Sequence, residues 1–355
     1  MLTPSNATML RLVIAVAAAL AAAGALACGG GGAPGSRPAT PALHAPRDVI
    51  AFGAQAGDGG HALYLVQPDG VDLRKLSDES GPVSFPRWSP AGDRIAYVIG
   101  NAGGPASLRV YDFALSAARA LSEQALLGDA STMSWSPDGN RLAFVEDAGS
   151  GRLRIYDFAQ DRLLDDAGLP AVSVDWSSSG DSLALIRPDR TEISTIRPDG
   201  SDERLLVSGE ALHYDARWAP DGTLAASSAP SAQLSARTLT IYSVDGDEPR
   251  DLGPGLDPAR SSDGRLAYSR PSSATAGAEF HIFAGASDGE EPQQVTRSAT
   301  RDRWPSWAPA GDAIVYLAQA DLETSFLCTV ELATQEQGCP ELAGLRPSQA
   351  AWSPF

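Results

Sequence analysis

Large apolar side chains recur along this chain in short runs, with one small residue between them: Ile95-Ala96-Tyr97, Leu142-Ala143-Phe144, Leu266-Ala267-Tyr268. Two large residues on one face with a small one opposite is a period of two, the signature of a β-strand. Just before each run stands turn chemistry: Pro90-Ala91-Gly92, Pro137-Asp138-Gly139, Pro220-Asp221-Gly222. Proline presets φ, aspartate tolerates turn geometry, and glycine accepts a positive φ without steric cost. Downstream come further strands, such as Ser107–Asp112, Arg152–Asp157 and Thr238–Tyr242, with second turns at Pro68-Asp69-Gly70 and Pro198-Asp199-Gly200.

The whole phrase repeats. Tryptophan opens it at 88, 135, 176, 218, 307 and 352, and Arg260 holds the same place in one degenerate copy, giving spacings of 47, 41, 42, 42, 47 and 45. Six of the 7 tryptophans occupy this one slot, large enough to wedge between neighbouring sheets. A period in this range with four strands per unit predicts a β-propeller. Seven slots over residues 47–355 predict an all-β, seven-bladed β-propeller of four-stranded antiparallel blades. The chain stops after Trp352-Ser-Pro-Phe355, where other copies continue into a strand, and Val49-Ile50-Ala51-Phe52 is that missing strand. Pairing of the N- and C-terminal strands is therefore expected to close the ring and remove its free edges.

These repeats resemble the PD40 (WD40-like) repeats of the TolB-like propellers, carried by Trp-Ser-Pro-Asp-Gly at 135–139 and its copies. The resemblance implies a non-enzymatic protein of the cell envelope that binds a protein or peptide partner at the propeller mouth.

The first residues read as an address. After Arg11, residues 12–27 carry no charge, too short and alanine-rich for a membrane span but suited to the apolar part of a secretory signal. Met9-Leu10-Arg11 makes a more usual start than residues 1–8. Ala25-Leu26-Ala27-Cys28-Gly29 resembles a bacterial lipobox, which implies acylation of Cys28; plain cleavage near Ala27 is the alternative. Residues 28–46, rich in Gly, Ala and Pro, read as a tether reaching about 20–25 Å. The expected organisation is a signal peptide at 1–27, a lipidated Cys28 with its tether at 28–46, and the propeller at 47–355. That places the protein in the periplasm or on the cell surface, anchored to a membrane by lipid.

Composition narrows the function classes. With 44 acidic and 27 basic side chains the net charge is −17, which argues against nucleic acid or anionic headgroups as partners. Three cysteines and 4 histidines exclude a multi-cysteine metal site, and no cofactor or metal is expected. Cys328 and Cys339 flank the last hairpin and, in an exported compartment, are expected to form a disulfide. Gly285-Ala-Ser287-Asp-Gly289 matches a nucleophile elbow in letters, but no histidine follows His281, so it reads as a turn. The carboxylates Asp165-Asp166, Asp202-Glu203, Glu248 and Glu290-Glu291 read as a solvated surface, and His61 and His281 as packed or surface residues.

Candidate binding residues come from the innermost strands. Three positions before the slot stand Phe85, Thr132, Ser173, Asp215, Asp257, Trp304 and Gln349. Five before stand Val83, Ala130, Ala171, His213, Gly255, Asp302 and Pro347. Trp304, outside the repeat slot and beside Arg303, is either a partner anchor of the aromatic–arginine kind or a filler of the channel. The mouth residues singled out are Phe85, His213, Asp215, Asp257, Asp302, Arg303 and Trp304. A second class of function, a glycan-binding propeller or a glycan lyase or hydrolase, would draw on His213, Asp215, Asp257 and Asp302. A monomer is expected.

Overall fold

The computed structural model describes residues 47–101, 105–126, 132–146, 151–164, 169–230, 233–275, 277–321 and 323–355. The expected signal peptide, Cys28 and the whole tether, with Ala130, Asp165 and Asp166, lie outside the described residues. All strands belong to the compact unit Leu43–Phe355. Among the described residues there are 28 strands and a single turn of 3₁₀ helix at Leu234–Ala236.

The strands follow one plan. Val83–Trp88 pairs antiparallel with Arg94–Ile99, which pairs with Ala106–Asp112, which pairs with Ala117–Ala125. The turn before each second strand is the one its residues call for. In Gly92, Gly139, Gly180, Gly222, Gly264 and Gly311 φ lies between 67° and 91°, the left-handed region that glycine alone enters cheaply. The amide of each donates to the carbonyl three residues back, as from Gly139 to Ser136 at 2.8 Å.

Separate four-stranded blades are only partly what forms. Three sheets have four strands, but two have eight. The nine-residue strand Ala117–Ala125 is long enough for Ala125 to pair with Glu146 of the next repeat, joining two units. In the second case Phe280 lies parallel to Arg301, again through a single residue pair. The final strand, Arg346–Trp352, pairs antiparallel with the first, Ile50–Gln55, with Ile50 opposite Trp352 and Ala51 opposite Ala351. Trp352 Nε1 donates to Asp48 Oδ1 at 2.9 Å, fastening the same joint.

The core lies between the faces of successive repeats, and the two-residue period decides which face each side chain serves. Ile50 and Phe52 pack with Val315 and Leu327, whereas Ala51, between them, packs with Ile95 and Tyr97. The large residues of the repeated phrase, Tyr97, Phe144, Tyr268 and Tyr316, are fully enclosed. Burying each aromatic body contributes about 1.5–3 kcal/mol.

The tryptophans bridge adjacent repeats, as their size suggested. Trp135 Nε1 donates to Arg87 O, Trp307 Nε1 to Ala259 O, and Trp88 Nε1 to Ala351 O, each at 3.0–3.1 Å and each reaching the innermost strand of the preceding repeat. Cys328, enclosed in strand Ser325–Glu331, is disulfide-bonded to Cys339 with Cα atoms 4.2 Å apart. By loop closure this bond contributes about 2–3 kcal/mol. The Gly285–Gly289 stretch is a hairpin turn in which Gly289 N donates to Ala286 O, not a strand–turn–helix elbow.

Candidate functional site: the cavity among the inner strands

The inner strands Val83–Trp88, Ser173–Trp176, Leu212–Trp218, Leu256–Arg260, Arg301–Trp307 and Arg346–Trp352 surround a cavity of about 260 Å³. Of the residues three before the slot, Phe85, Asp215, Asp257, Trp304 and Gln349 line it. Thr132 and Ser173, in the same ring, are buried and do not.

A backbone irregularity aims several of these side chains. The ladder shifts register between Ser84 and Arg87, between Leu256 and Ala259, and between Arg303 and Ser306. Within these bulges Phe85, Asp257 and Trp304 have φ of 53°, 55° and 54°. Non-glycine residues there cost about 1–3 kcal/mol each, and a bulge of this kind re-aims the side chain. The strand that supplies Asp215 is bulged between His213 and Asp215 as well.

The bulges also account for the mouth residues that do not reach the cavity. Among the described residues of the ring five before the slot, none lines it. His213 and Asp302, on the inner strands, are buried without lining the cavity, and Arg303 is turned into the seam between two repeats. Arg303 grips Asp257 with two guanidinium nitrogens, Nε and Nη2, the latter at 2.8 Å. Its guanidinium also lies 4.5 Å from the Trp304 ring centroid, a cation–π contact that braces the indole.

The carboxylates differ in charge state for physical reasons. Burial would raise Asp257, but the charge and hydrogen bonds of Arg303, the Ser269 hydroxyl and Arg237 bring it below the ordinary aspartate value. Burial raises Asp302, against which the hydroxyls of Ser298, Thr296 and Thr300 work only in part. Burial also lowers His213, whose Nδ1 is enclosed without a partner.

Reading the chain three and five residues before the slot missed the residue immediately before it. Arg87, Asp175, Arg217 and Ser306 stand there and line the cavity. Asp175 accepts from Arg217 Nη1 at 3.0 Å, from Ser134 Oγ at 2.9 Å and from the Trp218 amide at 2.9 Å. Ser306 Oγ likewise accepts from the Trp352 amide, so this position clasps the next inner strand. Burial, then the charge of Arg217, bring Arg87 down to about 9, with Asp175 opposing. The signal was available, since the residue before the slot lies on the same strand as the ring already chosen.

The arrangement offers an aromatic wall, Phe85 and Trp304, facing charged groups that are largely engaged with one another. Gln349 Oε1 is enclosed there and has no hydrogen-bond partner. Among the described residues no three His, Cys, Asp or Glu side chains gather as metal ligands would. No helix among them is long and apolar enough to cross a membrane.

No family model matches the chain. It is 37% identical over 97 residues to the protein TolB homolog of Chlorobium luteolum, over 26% of this chain and 22% of that one. It is 34% identical over 101 residues to a probable dipeptidyl peptidase 4 of Neosartorya fischeri, over 24% of this chain and 12% of that one. The chain thus spans less than a quarter of the length of either relative. Among solved structures, TolB from Acinetobacter baumannii matches with a TM-score of 0.56 at 15% identity, over 88% of this chain and 69% of that one. The β-propeller domain of the trilobed protease from Pyrococcus furiosus matches with a TM-score of 0.61 at 15% identity, over 82% and 94%. The architecture is that of a β-propeller. The repeated phrase and part of the chain are similar to the TolB homolog, and the likeness to the solved structures shows the fold.

Proposed function

We propose that this chain is an exported, lipid-anchored propeller of seven blades, closed by its terminal strands, which binds a protein or peptide of the cell envelope at its mouth without catalysing a reaction. Among the described residues, seven hydrophobic clusters, each between successive repeats, support the blade count. The pairing of Arg346–Trp352 with Ile50–Gln55 supports closure. Export and the anchor rest on residues 12–28.

The observation that carries the binding role is Trp304. Its backbone is held at φ 54°, yet its ring lines the mouth cavity half-buried instead of filling the core. Strain of that kind persists where surrounding structure imposes it, and aromatic side chains in desolvated pockets dominate binding energies. Gln349 Oε1, enclosed beside it, calls for a donor such as a peptide N–H, because an unmet buried acceptor costs about 1–3 kcal/mol. The cavity, about 260 Å³, falls just below the usual range for small-molecule sites and fits one inserted side chain better than several sugar rings. Asp175 and Asp257 are held in ion pairs, which suits them to fixing shape more than to moving protons.

The test is retention of envelope proteins by the purified chain beside its Trp304→Ala variant. A stoichiometric partner held by the first and lost by the second is expected. Equal retention would move the site off the mouth, and binding only to a glycan array would replace the reading with the carbohydrate one.

A further inference from the structure

A second cavity, of about 480 Å³, lies against the strands Leu266–Pro271 and Phe280–Gly285 and shares no lining residue with the mouth. Arg270 and His281 both line it. They stand directly opposite one another in the antiparallel ladder, which brings their Cβ atoms within about 4.5–5.5 Å on one face of the sheet. Basic groups so placed repel when both are charged, and something of opposite sign relieves that.

The protein does not supply it. In a chain with 44 acidic and 27 basic side chains, no carboxylate lines this cavity among the described residues. Arg270 forms no ion pair there, its guanidinium lying 5.1 Å from the Phe283 ring centroid. The His281 Nδ1 is enclosed and has no hydrogen-bond partner. Asp302, a carboxyl near enough to feel His281, accepts from Ser298 Oγ at 2.7 Å and Thr300 Oγ1 at 2.6 Å, and burial pushes it toward its neutral form. The remaining polar lining, including Ser272 and Ser273, brings hydroxyl donors without negative charge.

We propose that this cavity is an oxyanion site in which Arg270 and His281 together hold a phosphate or sulfate group, with Phe283 and Pro271 bounding the space for an attached organic body. The planar guanidinium suits two oxygens of such a group at once. At about 480 Å³ the cavity exceeds what a bare tetrahedral anion fills and lies within the range of small-molecule sites. The site is independent of the mouth, so either reading can fail without the other.

Isothermal titration of the full chain with inorganic phosphate and with phenyl phosphate, at constant ionic strength, tests this. Saturable binding of phenyl phosphate is expected, weakened at least tenfold in both Arg270→Gln and His281→Gln, with the unliganded unfolding midpoint of each within a few degrees of the parent. Two variants guard against one failing to fold. Tighter binding of phenyl phosphate than of inorganic phosphate assigns the site to an organic ester, and equal binding assigns it to the free ion. No saturable binding of either probe, or binding unchanged by both substitutions, overturns the proposal.

Discussion

Two seams between successive repeats solve the same problem with different side chains. At the seam entered by Trp135, a buried indole spans the gap and donates to Arg87 O of the preceding inner strand. At the seam where Arg260 holds the slot, the guanidinium turns back into its own sheet, with Nη1 donating to Gly264 O and Ser287 O. Its Nε and Nη2 are enclosed without partners, and burial, opposed by Asp221 and Asp288, brings it down to about 10. Trp218, in the repeat before, also has an enclosed Nε1 without a partner. The fold therefore tolerates a weak seam where neighbouring contacts are enough. One such contact is the grip of Arg303 on Asp257, which crosses the next seam along.

The largest effect should come from removing the strong clasp. Trp135→Ala is expected to cost about 3–5 kcal/mol, because a buried aromatic leaves a cavity and an unmet carbonyl. Arg260→Ala should cost about 1 kcal/mol or less, since it also removes two unpartnered donors. Chemical denaturation of the two variants measures the difference, and equal losses would erase the distinction between the seams.

The ion pair beside the weak seam comes next. Arg303→Gln strands a buried carboxylate and should cost about 3 kcal/mol at pH 7. Asp257 is lowered in the folded protein, so its contribution is present above the unfolded carboxylate value of about 3.9 and is lost as pH falls through the lower folded value. The deficit of the variant against the parent should therefore shrink as pH drops below about 4. A deficit independent of pH would show that the arginine acts through packing alone. The smallest effect separates the indole nitrogens: Trp135→Phe should lose about 1 kcal/mol for its hydrogen bond, whereas Trp218→Phe should stay within about 0.5 kcal/mol. Thermal unfolding of the pair reads this directly.

Much of the fold was legible because its signals are local. Pro-Asp-Gly turns, alternating large residues and the tryptophan slot each act within a few residues, and the strands formed where they pointed. The Cys328–Cys339 pair followed from spacing across one hairpin. The mouth was legible only in part. Phe85, Asp215, Asp257 and Trp304 reach the cavity, whereas His213, Asp302 and Arg303 are buried away from it.

The reason is the β-bulge. A bulge adds one residue to a strand and leaves the composition and period around it unchanged, yet it rotates every side chain beyond it. Counting back from the slot assumes an unbroken ladder. At position 3, within or beside the bulge, it still finds Phe85, Asp215, Asp257, Trp304 and Gln349, and at position 5, beyond the bulge, none of the described residues reaches the cavity. The chain by itself thus determined strands, turns, repeat length and the hairpin disulfide, all set by short-range stereochemistry. Tertiary structure alone decided which carboxylate keeps its charge and which is pushed toward its neutral form. Asp257 and Asp302 are the same residue type on neighbouring inner strands, but Arg303 reaches only the first, and hydroxyls surround the second. Charge state in a buried site belongs to the neighbours, which the sequence does not place.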